Sequence, residues 1–250
     1  MTRLSLLFNM IRMDPIILVP FLGYQFVVQV IQAMFSEPKG VALGLIMGLT
    51  WVMGVFAKAF TLYLGLDLVK DNALFIDASF KKTKARLTAL LLATGIFVFP
   101  FFILFYMGLQ PGEEVQASGL LVLLMLLSVP LSFILHLLPV HMVLIELPWK
   151  QSVRKTLQFI TTHFKETFRM IVTVFFFWMS SLLLALFVYQ VPVIGESVLF
   201  AVVQALGSCI VYLFVLLFLL ERKKPSLFRE FESYMDEHRL NLEAPSLDED

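Results

Sequence analysis

The chain has 250 residues, of which 59% are apolar, 14% aromatic and only 15% charged, and its 19 basic side chains balance its 19 acidic ones. So small a polar fraction leaves too little hydrophilic surface to cover a soluble domain of this size. The single cysteine, Cys209, excludes disulfides and cysteine-based metal sites within one chain.

In chain order, the N-terminus opens with an amphipathic piece, Leu4 to Ile11, that leads into Asp14-Pro15. The apolar run that follows exceeds a signal-peptide core and lacks a small-x-small cleavage site, so it reads as a retained anchor. Pro15 to Ser36, Thr88 to Met107, Met170 to Gly195 and Ser197 to Leu220 carry no charge. Each reaches the ~20 residues that a spanning helix needs. Gly40 to Leu66 is interrupted only by Lys58, and Val115 to Ile145 holds His136 and His141 but no formal charge. Six spans are therefore predicted, at about 15–36, 41–66, 88–108, 118–145, 170–190 and 197–220, within a membrane domain of residues 1–225. Backbone groups in lipid must be satisfied within the segment and no run alternates as a barrel strand would, so the spans are helices. The predicted fold class is all-α.

Orientation follows from the loops. Seventeen of the 19 Lys and Arg residues lie in the N-terminus, in residues 70–86, in residues 150–169 or in the tail, all on one side of the six spans; Lys39 alone lies on the other. The positive-inside rule places both termini in the cytoplasm. The external loops, 36–39, 110–118 and roughly 190–196, are too short to hold a domain. A basic inner rim of this kind meets anionic lipid head groups, whereas nucleic acid is not an expected partner.

At the outer end of the second span, Gly40, Gly44 and Gly48 recur every fourth residue, a ridge against which another helix backbone can pack closely. Its partner is a helix of the same chain or of a second copy. Further on, Phe75 to Thr83 matches Phe159 to Thr167 at five of nine positions, at an offset of 84 residues. Both segments fall on the cytoplasmic side, which predicts a parallel internal repeat and not the inverted kind common in transporters. Ser79 to Thr83 against Ser152 to Thr156 is a competing match that breaks this correspondence.

The loops read as amphipathic interfacial helices. Val153, Leu157, Ile160, Phe164, Phe168 and Ile171 step by four, three, four, four and three, which confines them to one stripe of a continuous helix. Val69, Ala73, Ile76 and Phe80 follow the same rule, whereas Phe75 and Phe159 fall off the stripe. Such helices lie in the head-group plane. The tail, residues 226–250, predicts a short helix from Ser226 and then a disordered acidic end.

Four ionisable residues form the candidate intramembrane polar site: Lys58, His136, His141 and Glu146. Lys58 precedes Leu66 by eight residues, about 12 Å, within reach of snorkelling to the inner interface. His136, His141 and Glu146 recur every five residues, about 140° apart, and share no face unless Pro139 redirects the helix. No metalloprotease, nucleophile-elbow or phosphate-loop motif occurs, so no catalytic, cofactor-binding or metal-binding residue is predicted.

Leu138 to Glu146, then Trp149 to Leu157 and the apolar run after them, resemble the second half of the YciC-like family of six-helix bacterial inner-membrane proteins. There a Pro-Val pair near the end of span four precedes an amphipathic loop with a Ser-x-Arg element, matched here by Pro139-Val140 and Ser152-Val153-Arg154. The similarity covers about residues 130–220, and the first half departs from it by a more basic loop and shorter external loops. It implies an architecture and a bacterial cytoplasmic membrane, without a mechanism. The expected protein is a non-enzymatic membrane accessory or scaffold with a cytoplasmic or membrane protein partner. The alternatives are a permease subunit of an ATP-driven exporter, suggested by the N-terminal elbow, and an ion-coupled carrier, which would need Lys58 and His136 to face a common cavity.

Overall fold

The computed structural model describes residues 2–35, 41–108, 131–189 and 196–243, and among them every regular element is a helix. They are α1 (Arg3–Met13), a short 3-10 turn (Pro15–Leu18), α2 (Val19–Met34), α3 (Val41–Asp71), α4 (Ile76–Gly108), α5 (Leu131–Ile145), α6 (Trp149–Thr162), α7 (Phe164–Tyr189), α8 (Glu196–Lys223) and α9 (Pro225–Glu243). Pro15–Met34, Ala42–Asp71, Ile76–Pro100 and Val198–Lys223 are each long and apolar enough to cross a membrane. The expected external loops, Gly40, the first half of the expected fourth span and the acidic end, Ser246 to Asp250, lie outside the described residues.

The bundle is organised around α8. From Cys209 to Leu220 every residue is buried, as expected of a helix that is apolar on all sides. Leu6, Leu7 and Met10 of α1, Ile17 and Phe21, Leu62 and Leu66 of α3, Leu137 and Val140 of α5, and Phe231 and Met235 of α9 join this cluster. The N-terminal end of this piece is fixed twice. Thr2 caps it by accepting from the Ser5 amide, and Arg3 Nε donates to Glu221 at 2.6 Å beside the Phe218 ring. Toward its N-terminus α8 is less covered. Val198, Val202 and Leu206 are exposed there, and an apolar groove of about 360 Å³ separates that half from Phe26 and Val30 of α2. Between α7 and α8 the approach depends on Gly207, where an added Cβ would collide with the Ser181 side chain.

Two hairpins share one local geometry. Helix α3 ends in Asn72 with φ 53°, and α5 ends in Glu146 with φ 55°, so in both a left-handed residue turns the chain. The next helix then starts with the Ser79 amide donating to the Phe75 carbonyl at 2.8 Å, and the Ser152 amide to the Pro148 carbonyl at 3.0 Å. Thr83 Oγ1 donates to the Ser79 carbonyl and Thr156 Oγ1 to the Ser152 carbonyl, each at 2.8 Å. All four hydroxyl residues are buried.

That burial changes the picture of the expected interfacial helix. Its inward face is Ser152, Thr156 and Phe159, whereas Leu157, Phe164 and Phe168 point outward and Val153 and Ile160 are half-buried. The stripe is also not one helix, because α6 stops at His163, with φ −116° and ψ 41°. Thr161 Oγ1 takes the Gln158 carbonyl at 2.9 Å, a local alternative to the helical ladder at its last turn. Phe164 and Phe168 therefore belong to α7, where both stack on Phe133 of α5. Along the glycine ridge, an added Cβ at Gly44 or Gly48 would meet nothing within 4 Å, so no described helix of the chain is seated there. The tail helix begins at Pro225, which places Ser226 inside its first turn.

The Gly207 contact gives a direct test of the α7–α8 packing. Gly207→Ala should cost about 1–3 kcal/mol, the usual range for an overpacked interior, and adding Ser181→Gly should recover most of it. Thermal denaturation of the purified protein in detergent reads both effects.

Candidate functional site

Lys58 lies 13 residues before the end of α3 (71 − 58), about 20 Å along the axis. The helix continues past Leu66 to Asp71, and Lys58 makes its contact within the bundle. Its ammonium sits 5.3 Å over the ring of Tyr212 in α8, in the geometry of a cation–π contact. The His136 ring stacks on the same Tyr212 at 5.6 Å, and Phe21 stacks on it at 5.8 Å. A carbonyl only accepts, so His136 Nδ1, 2.8 Å from the Ser132 carbonyl, carries the proton. Lys58 also lines a cavity of about 270 Å³ between α2 and α3, together with Tyr24, Thr50, Trp51 and Gly54. None of its lining residues is acidic, and the buried Trp51 Nε1 has no hydrogen-bond partner among the described residues.

The other two candidates stand elsewhere. His141 is buried, with Nδ1 3.3 Å from Thr156 Oγ1 and its ring edge on Phe159 at 5.3 Å. Its Nε2 has no hydrogen-bond partner among the described residues. Glu146 has left the helix as the left-handed residue of the α5–α6 turn, and its side chain is exposed. What that turn offers is its backbone: the Arg86 guanidinium of α4 donates to the Glu146 carbonyl at 2.8 Å and to the Leu147 carbonyl at 3.1 Å. The four residues therefore occupy three separate settings. Only Lys58 and His136 meet, and they do so across a ring.

Asp67 is a site residue that the sequence reading passed over by ending the second span at Leu66. Its carboxylate is buried in α3, accepts from the Ser79 hydroxyl, and lies 3.1 Å from Lys82 Nζ. The signal was present: Leu64, Leu66, Leu68 and Val69 surround it, so the apolar helix does not stop at the acid. Tyr212 gave no signal, because a tyrosine in an apolar run is an ordinary core residue.

Among the described residues this arrangement positions charge. Cys209 is buried with its Sγ 3.7 Å from the Ile17 carbonyl. Among the described residues no three His, Cys, Asp or Glu side chains converge. Comparison with protein-family models, with curated proteins and with solved structures returned no match.

The Asp67 pair is asymmetric in exposure, 3% for the acid against 46% for the lysine, and this sets the order of two substitutions. Lys82→Met strands a buried carboxylate, whereas Asp67→Asn leaves a lysine that can turn to water and an amide that still accepts from Ser79. Lys82→Met should therefore be the more damaging, by about 1–3 kcal/mol. Melting temperatures of the two variants in the same detergent check the order.

Proposed function

We propose that the protein is a non-enzymatic accessory or scaffold protein of a bacterial cytoplasmic membrane, with six spans and both termini inside. The observation that carries the membrane reading is the inverted burial of the amphipathic segments. Ser79, Thr83, Ser152 and Thr156 face the protein, while Phe80, Leu157, Phe164 and Phe168, each between 42% and 56% exposed, face outward. A domain in water would expose the hydroxyls and bury the rings. A segment lying on a bilayer does the reverse, because lipid covers its apolar side. Helices α5 and α7 supply the remaining two spans of this reading, alongside the four helices long and apolar enough to cross.

The scaffold part rests on how firmly the basic end is tied. Asp67 binds the start of α4, Arg86 binds the α5–α6 turn, His141 touches α6, and Arg3 binds the end of α8. These contacts join elements distant in sequence into one surface, which suits the docking of a partner. The YciC-like resemblance agrees with the architecture and adds no mechanism.

A parallel repeat remains part of the proposal. The starts of α4 and α6 correspond at 73 residues (149 − 76), whereas the Phe75 and Phe159 segments correspond at 84. The difference of 11 residues is about three helical turns, so the second unit is read as the first with three turns added before its span.

An ion-coupled carrier is the second reading, and the contact of Lys58 and His136 with one ring is what favours it. Under the scaffold reading Lys58→Met removes a cation–π contact worth about 0.5–2 kcal/mol and leaves membrane abundance and cellular phenotype intact. Loss of phenotype in both Lys58→Met and His136→Leu at normal abundance would instead select the carrier. Topology is tested separately by single cysteines at Gln116 and Ser233 in a Cys209→Ala background. In intact cells an impermeant thiol reagent should label Gln116→Cys and spare Ser233→Cys, and the opposite pattern would invert the orientation.

A further inference from the structure

At the basic end, α6 and the end of α8 enclose an open cavity of about 440 Å³. Lys155, Gln158 and Thr162 recur at three and four residues and so share one face of α6. Lys223 and Lys224 approach from α8, and His163 closes the side. Phe159 forms the apolar wall, held between His141, Phe218 and the Lys223 ammonium, which lies 4.9 Å over its ring. None of the lining residues is acidic. The nearby carboxylate, Glu166, lies 3.2 Å from Arg222 and 3.8 Å from His163 Nδ1, and is not part of the wall.

Lysines at a helix C-terminus are ordinarily explained by the helix dipole. That account covers Lys223 and Lys224 but not Lys155, which belongs to another helix and lines the same concavity. Three ammonium groups around one open cavity repel one another, and an anion among them removes that repulsion. Lysine binds phosphate as a point charge, and Gln158 and Thr162 add neutral donors beside it.

We propose that this cavity binds a phosphate-bearing anion, either a phospholipid head group or a soluble phosphate compound. Its size suits a group larger than phosphate alone. The exposed Leu157 and Phe164, next in sequence to the lining Gln158 and His163, offer an apolar flank to acyl chains. The lipid source rests on the membrane reading above; the phosphate site itself does not.

The test is the thermal shift of the purified full-length protein in detergent, titrated with short-chain phosphatidylglycerol, with zwitterionic phosphatidylcholine of the same chain length, and with inorganic phosphate. Phosphatidylglycerol should raise the melting temperature, and the Lys155→Gln/Lys224→Gln double variant, which spares the Lys223–Phe159 contact, should weaken that effect about fivefold per charge removed. Lys84→Gln, on the exposed side of α4, should change nothing. A shift with phosphatidylglycerol and none with inorganic phosphate assigns the site to lipid. A shift with inorganic phosphate that the double variant loses assigns it to a soluble compound. No shift with either ligand, a shift equal in the double variant, or an equal shift with phosphatidylcholine overturns the proposal. Membrane extraction of the same variants by carbonate reports on the membrane reading independently, so the two can fail separately.

Discussion

A helix with no polar side imposes a condition on everything around it. From Cys209 to Leu220, α8 carries only apolar side chains apart from the Cys209 thiol and the Tyr212 hydroxyl, and all are buried, so each direction must be filled by other chain or by lipid. The bundle meets that condition at the basic end, where α1, α3, α5, α7 and α9 close around it. The short segments depend on α8 as much as it depends on them. Helix α1 has only 11 residues, a length at which a helix alone in water is marginal, and α9, with 19, draws most of its stability from packing as protein helices generally do. Leu6, Leu7 and Met10 in one, and Phe228, Phe231 and Met235 in the other, hold them in place through burial. The Arg3–Glu221 pair is partly exposed and adds register more than stability.

Filling the space around an apolar helix leaves the question of which polar residues can enter the protein interior without penalty. Ser79, Thr83, Ser152 and Thr156 do so here, each hydroxyl donating within the chain, whereas the buried Thr61 and Thr167 hydroxyls have no partner among the described residues. A Thr83 or Thr156 hydroxyl satisfies itself on the carbonyl four residues back, so it needs no partner on the helix it faces. Its small side chain lets that helix come close, as at membrane helix interfaces generally. A charged group fits beside this layer: Asp67 enters where Ser79 has a hydroxyl free to donate and Lys82 reaches over it. His141 enters beside Thr156 in the same manner, one ring nitrogen near the hydroxyl.

The sequence disclosed some of this plainly. Charge-free runs located the long apolar helices, because a block of ~20 apolar residues has few other uses, and the three- and four-residue steps located α6. The face of α6 was legible only in part. Periodicity shows that two faces differ, and which one turns inward depends on whether water or lipid lies outside. In α6 and the start of α4 the serines and threonines take the inward side. The break at His163 was hidden because the apolar stripe continues in step across it. Phe75 and Phe159, off the stripe, were the visible signs of a second contact, and Phe159 packs on Phe218 and His141. Asp67 is missed when the span is ended just before the acid, although apolar residues continue through Leu68 and Val69. The Lys58–Tyr212–His136 contact joins three helices, and no spacing within one segment encodes it.

Tyr212 shows how a charge is held inside such a bundle without a counter-ion. An aromatic ring presents a negative face to a cation and an apolar face to a stacked ring. Tyr212 receives Lys58, His136 and Phe21 together, so helices α2, α3 and α5 all meet α8 at one side chain. A carboxylate in its place would bind Lys58 more strongly, yet it would remain a buried charge whenever the lysine turned toward the neighbouring cavity. The ring carries no such cost in either position. Lys58 sits on Tyr212 and at the same time lines the cavity beside Tyr24, Thr50 and Trp51. The ring thus holds the cation at the edge of a cavity whose lining has no acid, at the point of α3 where partial cover gives way to continuous burial from Thr61 to Val69.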